Sequence, residues 1–228
     1  MEGQRGWFAE ETVFNILQKN GYAFNWFYLD RPDQTKQIAG HRILIASFAY
    51  SVSQDAADKV KAAVAAGATL VLIDGRQGET DEWGEPRPAP AFKELVDSGK
   101  AIVLPEDILA WGSTDAFAEK VMAAIDNTLG RDNPLKMARY NHNVDATLIE
   151  KGPKEKFVFA INWEKSPAVV DLGLSLPEGS YEVRARDENQ WRQVSIGGRT
   201  ALSRTDLASF RLNLGPEKPY VLYVSEKK

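Results

Sequence analysis

Four carboxylic acids and a tryptophan crowd one short stretch of the chain: Asp74, Glu79, Asp81, Glu82 and Trp83 follow directly on the apolar run Thr69-Leu70-Val71-Leu72-Ile73. Two carboxyl groups flanking a sugar linkage are the working parts of glycosidic-bond hydrolysis, one protonating the departing oxygen while the other attacks or activates water. An indole beside them offers a flat face on which a sugar ring can stack. The same residues also suit a solvated loop, because loop acids are mostly exposed. Asp30, Glu106 and Asp107 end other strand-like runs and could reach the same edge of a sheet, with an Asx turn or a helix cap as the competing reading.

Other chemistries find little support in residue type or spacing. The two histidines, His41 and His142, are far apart and neither has metal-ligand spacing with the other, so no metal site is expected. The chain has no cysteine, which removes thiol nucleophiles, disulfides and thiolate metal sites and leaves the redox compartment unread. Ser47 and Ser53 lack a G-x-S-x-G elbow, and Ser53 reads as a helix N-cap. Neither phosphate-binding glycine motif occurs, and Gly75 and Gly78 lie among acids that would repel a phosphate, so no cofactor is expected.

A net charge of −4 without any basic cluster argues against a nucleic-acid partner. No apolar run approaches the ~20 residues of a membrane span, and the N-terminus lacks a basic-then-apolar signal pattern, so a soluble chain of unassigned compartment is expected. Six tryptophans, Trp7, Trp26, Trp83, Trp111, Trp163 and Trp191, adjoin turns or element ends. Such edge aromatics suit subunit interfaces and sugar platforms as well as core packing.

The elements that must position these residues follow from hydrophobic periodicity. At 43% hydrophobic content, 228 residues suffice for one or two cores. Ala9 to Asn20 reads as a helix with Val13, Ile16 and Leu17 on one stripe and Gly21 as its stop. Tyr22 to Tyr28 reads as an aromatic strand. His41 to Phe48 is an unbroken apolar run, expected as a central parallel strand covered on both faces. Ser53 caps a helix over Gln54 to Ala66 that ends at Gly67 and feeds the strand Thr69 to Ile73. Phe92 to Ser98 and Ala101 to Leu104 repeat helix and strand, and Thr114 to Leu129 is a last amphipathic helix. The alternation predicts a doubly wound three-layer α/β sheet.

Near residue 140 the pattern changes to short strands: Ala146 to Glu150, Lys156 to Asn162, Ala168 to Leu172, Gly179 to Arg186, Trp191 to Ile196 and Tyr220 to Val224. Turn clusters such as Lys151-Gly152-Pro153 and Gly197-Gly198 separate them, which predicts a small antiparallel β-sandwich. Two domains are therefore expected, 1–140 and 141–228.

With these elements in place, ILIASFAYSVSQDAADKVKAAVAAGATLVLIDGRQGETDEWGE resembles the glutamine-amidotransferase-like, flavodoxin-like domain that trimerises certain β-galactosidases. FVFAINWEKSPAVVDLGL, PEGSYEVRARDENQW and YVLYVS resemble the β-sandwich that ends many glycoside hydrolases, with the F-x-x-N strand as the main token. The resemblance covers most of the chain and implies a flavodoxin-like parallel sheet, a homo-oligomer and a carbohydrate-active parent. Two departures stand out. Amidotransferases carry a nucleophilic cysteine that this chain cannot supply, which excludes glutaminase chemistry. The family's domain also opens with a strand, where here only MEGQRGW precedes the first helix. With no barrel sequence present, the expectation is the tail of a longer glycosidase, or a short protein that has rearranged its first strand.

Three readings follow: a non-catalytic assembly or accessory region of a glycoside hydrolase, a self-standing small glycosidase using carboxylates of the 74 to 82 loop, and a sugar-binding protein. In the first, the loop from Asp74 to Glu85 lies at the carboxyl edge of the sheet with its acids in solvent and Trp83 partly covered.

Overall fold

The computed structural model describes residues 2–29, 31–47, 49–104, 114–187 and 190–227. Asp30, Phe48, Glu106, Asp107 and Trp111 lie outside the described residues, and the side chain of Trp7 is not described. The chain is mixed α/β, with one parallel sheet and two antiparallel sheets. It divides into two compact units, one of Met1–Phe14 with Phe24–Leu129, the other of Asn15–Ala23 with Gly130–Lys228.

Helix α1 (Glu2–Lys19) is shared, its residues up to Phe14 belonging to the first unit and those from Asn15 to the second; the first unit continues with α2 (Pro32–Thr35), β1 (Ile43–Ala46), α3 (Gln54–Ala65), β2 (Thr69–Ile73), α4 (Lys93–Asp97), β3 (Ala101–Leu104) and α5 (Thr114–Leu129). Helix α1 stops at Gly21, which takes a left-handed φ of 67° while the Tyr22 N–H returns to the Leu17 carbonyl. Strands β1, β2 and β3 pair in parallel in that order, Ile43 opposite Thr69 and Leu70 opposite Ala101. The joining segments are helical because parallel neighbours need a long crossover.

Strand β2 is the centre of this sheet. Its Leu70 and Leu72 pack into a core with Val52, Ala56, Val60 and Val64 of the α3 region and with Phe92 and Leu95. Val71 and Ile73 point to the opposite face and are equally buried. Ser53 caps α3, its hydroxyl accepting from the Ala56 N–H at 3.2 Å.

Two expectations are corrected. The run at His41 to Phe48 is not central: β1 covers only Ile43–Ala46, is half-buried, and stands at one end of the described sheet. Its continuous apolarity matched that of an interior strand, but adjacency to β2 on one side already buries it partly. Tyr22 to Tyr28 forms no strand. Its alternation reflects ring packing: Phe24 and Trp26 both meet Phe14 edge-on, at 5.4 and 6.1 Å between centroids.

The second unit contains β4 (Leu135–Met137), β5 (Val144–Gly152), β6 (Glu155–Asn162), β7 (Ala168–Leu174), β8 (Ser180–Asp187), β9 (Gln190–Gln193), β10 (Leu202–Ser203), α6 (Arg204–Leu207), β11 (Phe210–Leu214) and β12 (Pro219–Glu226). Six strands form one antiparallel sheet in the order β10-β8-β12-β6-β5, with β9 paired to β8. Strands β11, β7 and β4 form a second. Alternate residues are buried, Val158 and Ala160 on β6, Tyr181 and Val183 on β8, Leu222 and Val224 on β12, and Leu212 and Leu214 on β11, as sheets with one covered face require.

Sequence periodicity missed β4, β10 and β11. β4 and β10 are very short, while Phe210-Arg-Leu-Asn-Leu214 does alternate, burying Phe210, Leu212 and Leu214 against β7. Among the described residues no helix is long and apolar enough to cross a membrane.

Candidate functional site

The loops leaving the carboxyl ends of β1 and β2 are bound to one another by backbone bonds. Thr80 N–H donates to the Tyr50 carbonyl at 3.0 Å, Val52 N–H to the Thr80 carbonyl at 3.1 Å, and Gly78 N–H to the Ala49 carbonyl at 2.7 Å. In open α/β sheets this edge is where ligands and partners meet the fold.

Asp74 ends β2 in a left-handed conformation with φ of 80°, which a non-glycine residue adopts only when its surroundings impose it. Those surroundings are visible. Its Oδ1 accepts from Arg76 N–H at 2.9 Å in an Asx turn, and its Oδ2 accepts from Arg76 Nε at 2.9 Å and Nη2 at 2.7 Å. The Tyr50 hydroxyl donates to the same Oδ2 at 3.2 Å. Burial, then the Asp74 carboxylate, push the Tyr50 hydroxyl above its ordinary pKa, opposed by Arg76, whose guanidinium lies 5.2 Å from the ring centroid.

Asp74 is therefore 2% exposed, not in solvent. The Arg76 guanidinium, with two N–H groups on Oδ2, neutralises it, and Oδ1 is engaged in the turn. Beside it Gln77, fully buried, accepts from Ala49 N–H at 2.5 Å and donates to the Ile73 carbonyl at 2.6 Å. Arg87 secures the far side of the loop, donating to the Val52 carbonyl at 2.6 Å and to Gln54 Oε1 at 3.1 Å.

The remaining candidates part company with Asp74. Asp81 folds the loop tip, its Oδ1 accepting from Trp83 N–H and Glu85 N–H, both at 2.9 Å. Glu79 and Glu82 are exposed. Trp83 is 84% exposed, where partial cover was expected, because the Asp81 turn carries it outward. An open depression of about 560 Å³ lies along Lys61, Pro90, Lys93 and Glu94, and none of Asp74, Glu79, Asp81 or Glu82 lines it.

His41 meets Asn25 Nδ2 at 3.1 Å and His142 meets Asn143 Nδ2 at 2.9 Å. Among the described residues no group of three His, Asp or Glu side chains could hold a metal ion. Sequence reasoning missed Tyr50, Arg76, Gln77 and Arg87 as builders of this edge. The Asp-Gly-Arg step was the available signal, since Asp before Gly favours an Asx turn.

No family model matches the chain, and no match to a curated protein was found. Among solved structures it is similar to a GH42 β-galactosidase from G. stearothermophilus, at 12% identity and a TM-score of 0.56 over 95% of this chain and 36% of that one. A β-galactosidase from Rahnella sp. R3 gives 15% and 0.54, over 96% and 37%. A GH42 exo-carrageenase from Bacteroides ovatus gives 15% and 0.52, over 94% and 26%. At these identities the likeness is one of fold. The chain spans between 26% and 37% of the length of these enzymes.

Proposed function

We propose that this chain is a non-catalytic assembly or accessory region of a β-galactosidase-like glycoside hydrolase. Residues 1–140 are its glutamine-amidotransferase-like, flavodoxin-like part and residues 141–228 its closing β-sandwich. The observation that carries the reading is the asymmetry of the structural likeness: nearly all of this chain matches little more than a third, at most, of enzymes that cleave sugars. The loop chemistry supports it. Among the described candidate acids the buried one, Asp74, is already neutralised by Arg76, and Glu79 and Glu82 stand in solvent.

On this reading the chain forms homo-oligomers through the α/β part, and the exposed Trp83 on its braced acidic loop is a contact residue. The test combines light scattering with a panel of nitrophenyl glycosides. A homo-oligomer that turns over none of them is expected. A strict monomer at high micromolar concentration, or turnover that disappears in Glu79→Gln, Asp81→Asn or Glu82→Gln, would overturn the proposal, the latter in favour of a self-standing glycosidase.

A further inference from the structure

The solvent face of the six-stranded sheet carries what its buried face would be expected to hold. Strand register lines up two rows across it: Phe157, Tyr223 and Arg184 opposite one another on β6, β12 and β8, and next to them Phe159, Val221, Arg186 and Trp191, the last on β9. Antiparallel sheets with one wet face normally place polar residues there. Here Phe157 lies 4.8 Å from Tyr223 and 6.4 Å from Phe159, and Trp191 meets Tyr223 at 6.3 Å. Trp191 remains 44% exposed and Phe159 36%.

The charges on this face are unevenly engaged. Glu155 is held by the Tyr223 hydroxyl at 2.8 Å and by Lys151 at 3.6 Å. Arg184 lies 5.0 Å over the Tyr223 ring, and both it and Arg186 are exposed. Among the described residues neither guanidinium pairs with a carboxylate, Glu182 of the same face included. The two sit two residues apart on one strand, about 7 Å at ~3.3 Å per residue.

We infer that this face is a binding platform for a polyuronate glycan, the sugar rings stacking on Trp191 and the aromatic row while their carboxylates bridge to Arg184 and Arg186. Aromatic faces take the apolar faces of sugars, and a planar guanidinium fork matches a carboxylate with two parallel bonds. A neutral glycan would use the rings and offer neither guanidinium a carboxylate. The charge complementarity therefore selects the acidic polymer. The inference rests on the reading of the chain as part of a carbohydrate-active protein, and it assigns the sugar contact to Trp191 where sequence pointed to Trp83.

The experiment is affinity electrophoresis of the full chain in gels containing polygalacturonate, neutral galactan or sulfated galactan, followed by calorimetry on the polymer that retards it. Retardation by polygalacturonate that weakens with salt is expected, with at least tenfold weaker binding in Trp191→Ala and in the Arg184→Gln/Arg186→Gln double variant. All of these side chains are exposed, so circular dichroism should show the fold intact. Trp163→Ala, at an exposed tryptophan outside the two rows, should bind as the native chain does. No retardation by polygalacturonate, equal or stronger retardation by either galactan, or binding indifferent to the double arginine variant would overturn the inference. An inert homo-oligomer that ignores polygalacturonate would remove the platform and leave the assembly reading standing.

Discussion

Arg76 grips Asp74 through Nε and Nη2 on a single carboxylate oxygen, at 2.9 and 2.7 Å, and so holds a non-glycine residue in the left-handed region at the end of a buried strand. The two halves of the pair are not equivalent. Asp74→Asn keeps an acceptor for the turn and a residue type that tolerates this backbone, and should cost about 1–2 kcal/mol. Arg76→Met strands a buried carboxylate and should cost more, about 2–3 kcal/mol, less than for a wholly buried pair because the guanidinium is 44% exposed. Urea unfolding of both variants measures the order; an Asp74→Asn loss equal to or larger than that of Arg76→Met would contradict it.

Two glycines of the same loop separate backbone freedom from packing. Gly78 has φ of 77° and an added Cβ would stand 2.7 Å from the Ala91 Cβ; Gly84 has φ of 81° and nothing within 4 Å. Gly84→Ala should lose only about 1 kcal/mol for its left-handed backbone, and Gly78→Ala should lose at least about 1 kcal/mol more through the clash. Thermal melts of the two variants, compared side by side, check the difference.

The asparagine of the F-x-x-N token has a structural task. Asn162 is fully buried at the end of β6, its Oδ1 accepting from Glu164 N–H at 3.0 Å and its Nδ2 donating to the Ser166 carbonyl at 2.8 Å. Asn162→Ala leaves both backbone groups without those partners and should cost about 2–3 kcal/mol. Asn162→Asp restores only the acceptor and should recover part of the loss in chemical unfolding.

Acid should loosen the start of α6. Hydrogen bonds from the Ser203 backbone and hydroxyl, then Arg199, hold the Asp206 carboxyl below its usual 3.8. Because the native pKa is lowered, the stabilisation is fully present above the unfolded value and lost as pH falls through the native one. Hydrogen exchange at the Ser203 amide should accelerate at acid pH in the native chain. In Asp206→Asn, exchange corrected for intrinsic chemistry should be fast and flat across that range.

Alkali acts on Tyr50 with the opposite sign. Its raised native pKa means that the unfolded chain ionises first, so the stability this residue contributes is present below pH 10 and declines as pH rises through the native value. Tyr50→Phe should flatten that alkaline decline in a pH series of melting temperatures.

Much of this architecture was legible wherever a residue's neighbours lie close in sequence. The Ser53 cap, the Gly21 stop and the β2 run follow from local periodicity and end chemistry, and each appears where those signals stand. Long-range pairing was not legible. Nothing between His41 and Phe48 tells an interior strand from an end strand, because both read as continuous apolar runs, and Tyr22 to Tyr28 imitates strand alternation while Phe24 and Trp26 pack on Phe14. At the loop, residue types marked Asp74 as chemically interesting, but its fate is decided by Arg76 and by Tyr50, 24 positions away. A carboxylate destined for solvent and one destined for a guanidinium look alike in sequence.

Strand β12, the latest of the described strands in the sequence, lies between β8 and β6 within its sheet. A ribosome therefore releases the two flanking strands long before the piece that joins them exists. Until Pro219 to Glu226 emerge, β6 and β8 each present an unpaired edge, the kind of template on which chains stick to one another. Deleting Pro219 to Glu226 would split the sheet down its middle, so such a variant should yield inclusion bodies where deletion of an outer strand would yield a weakened but soluble product.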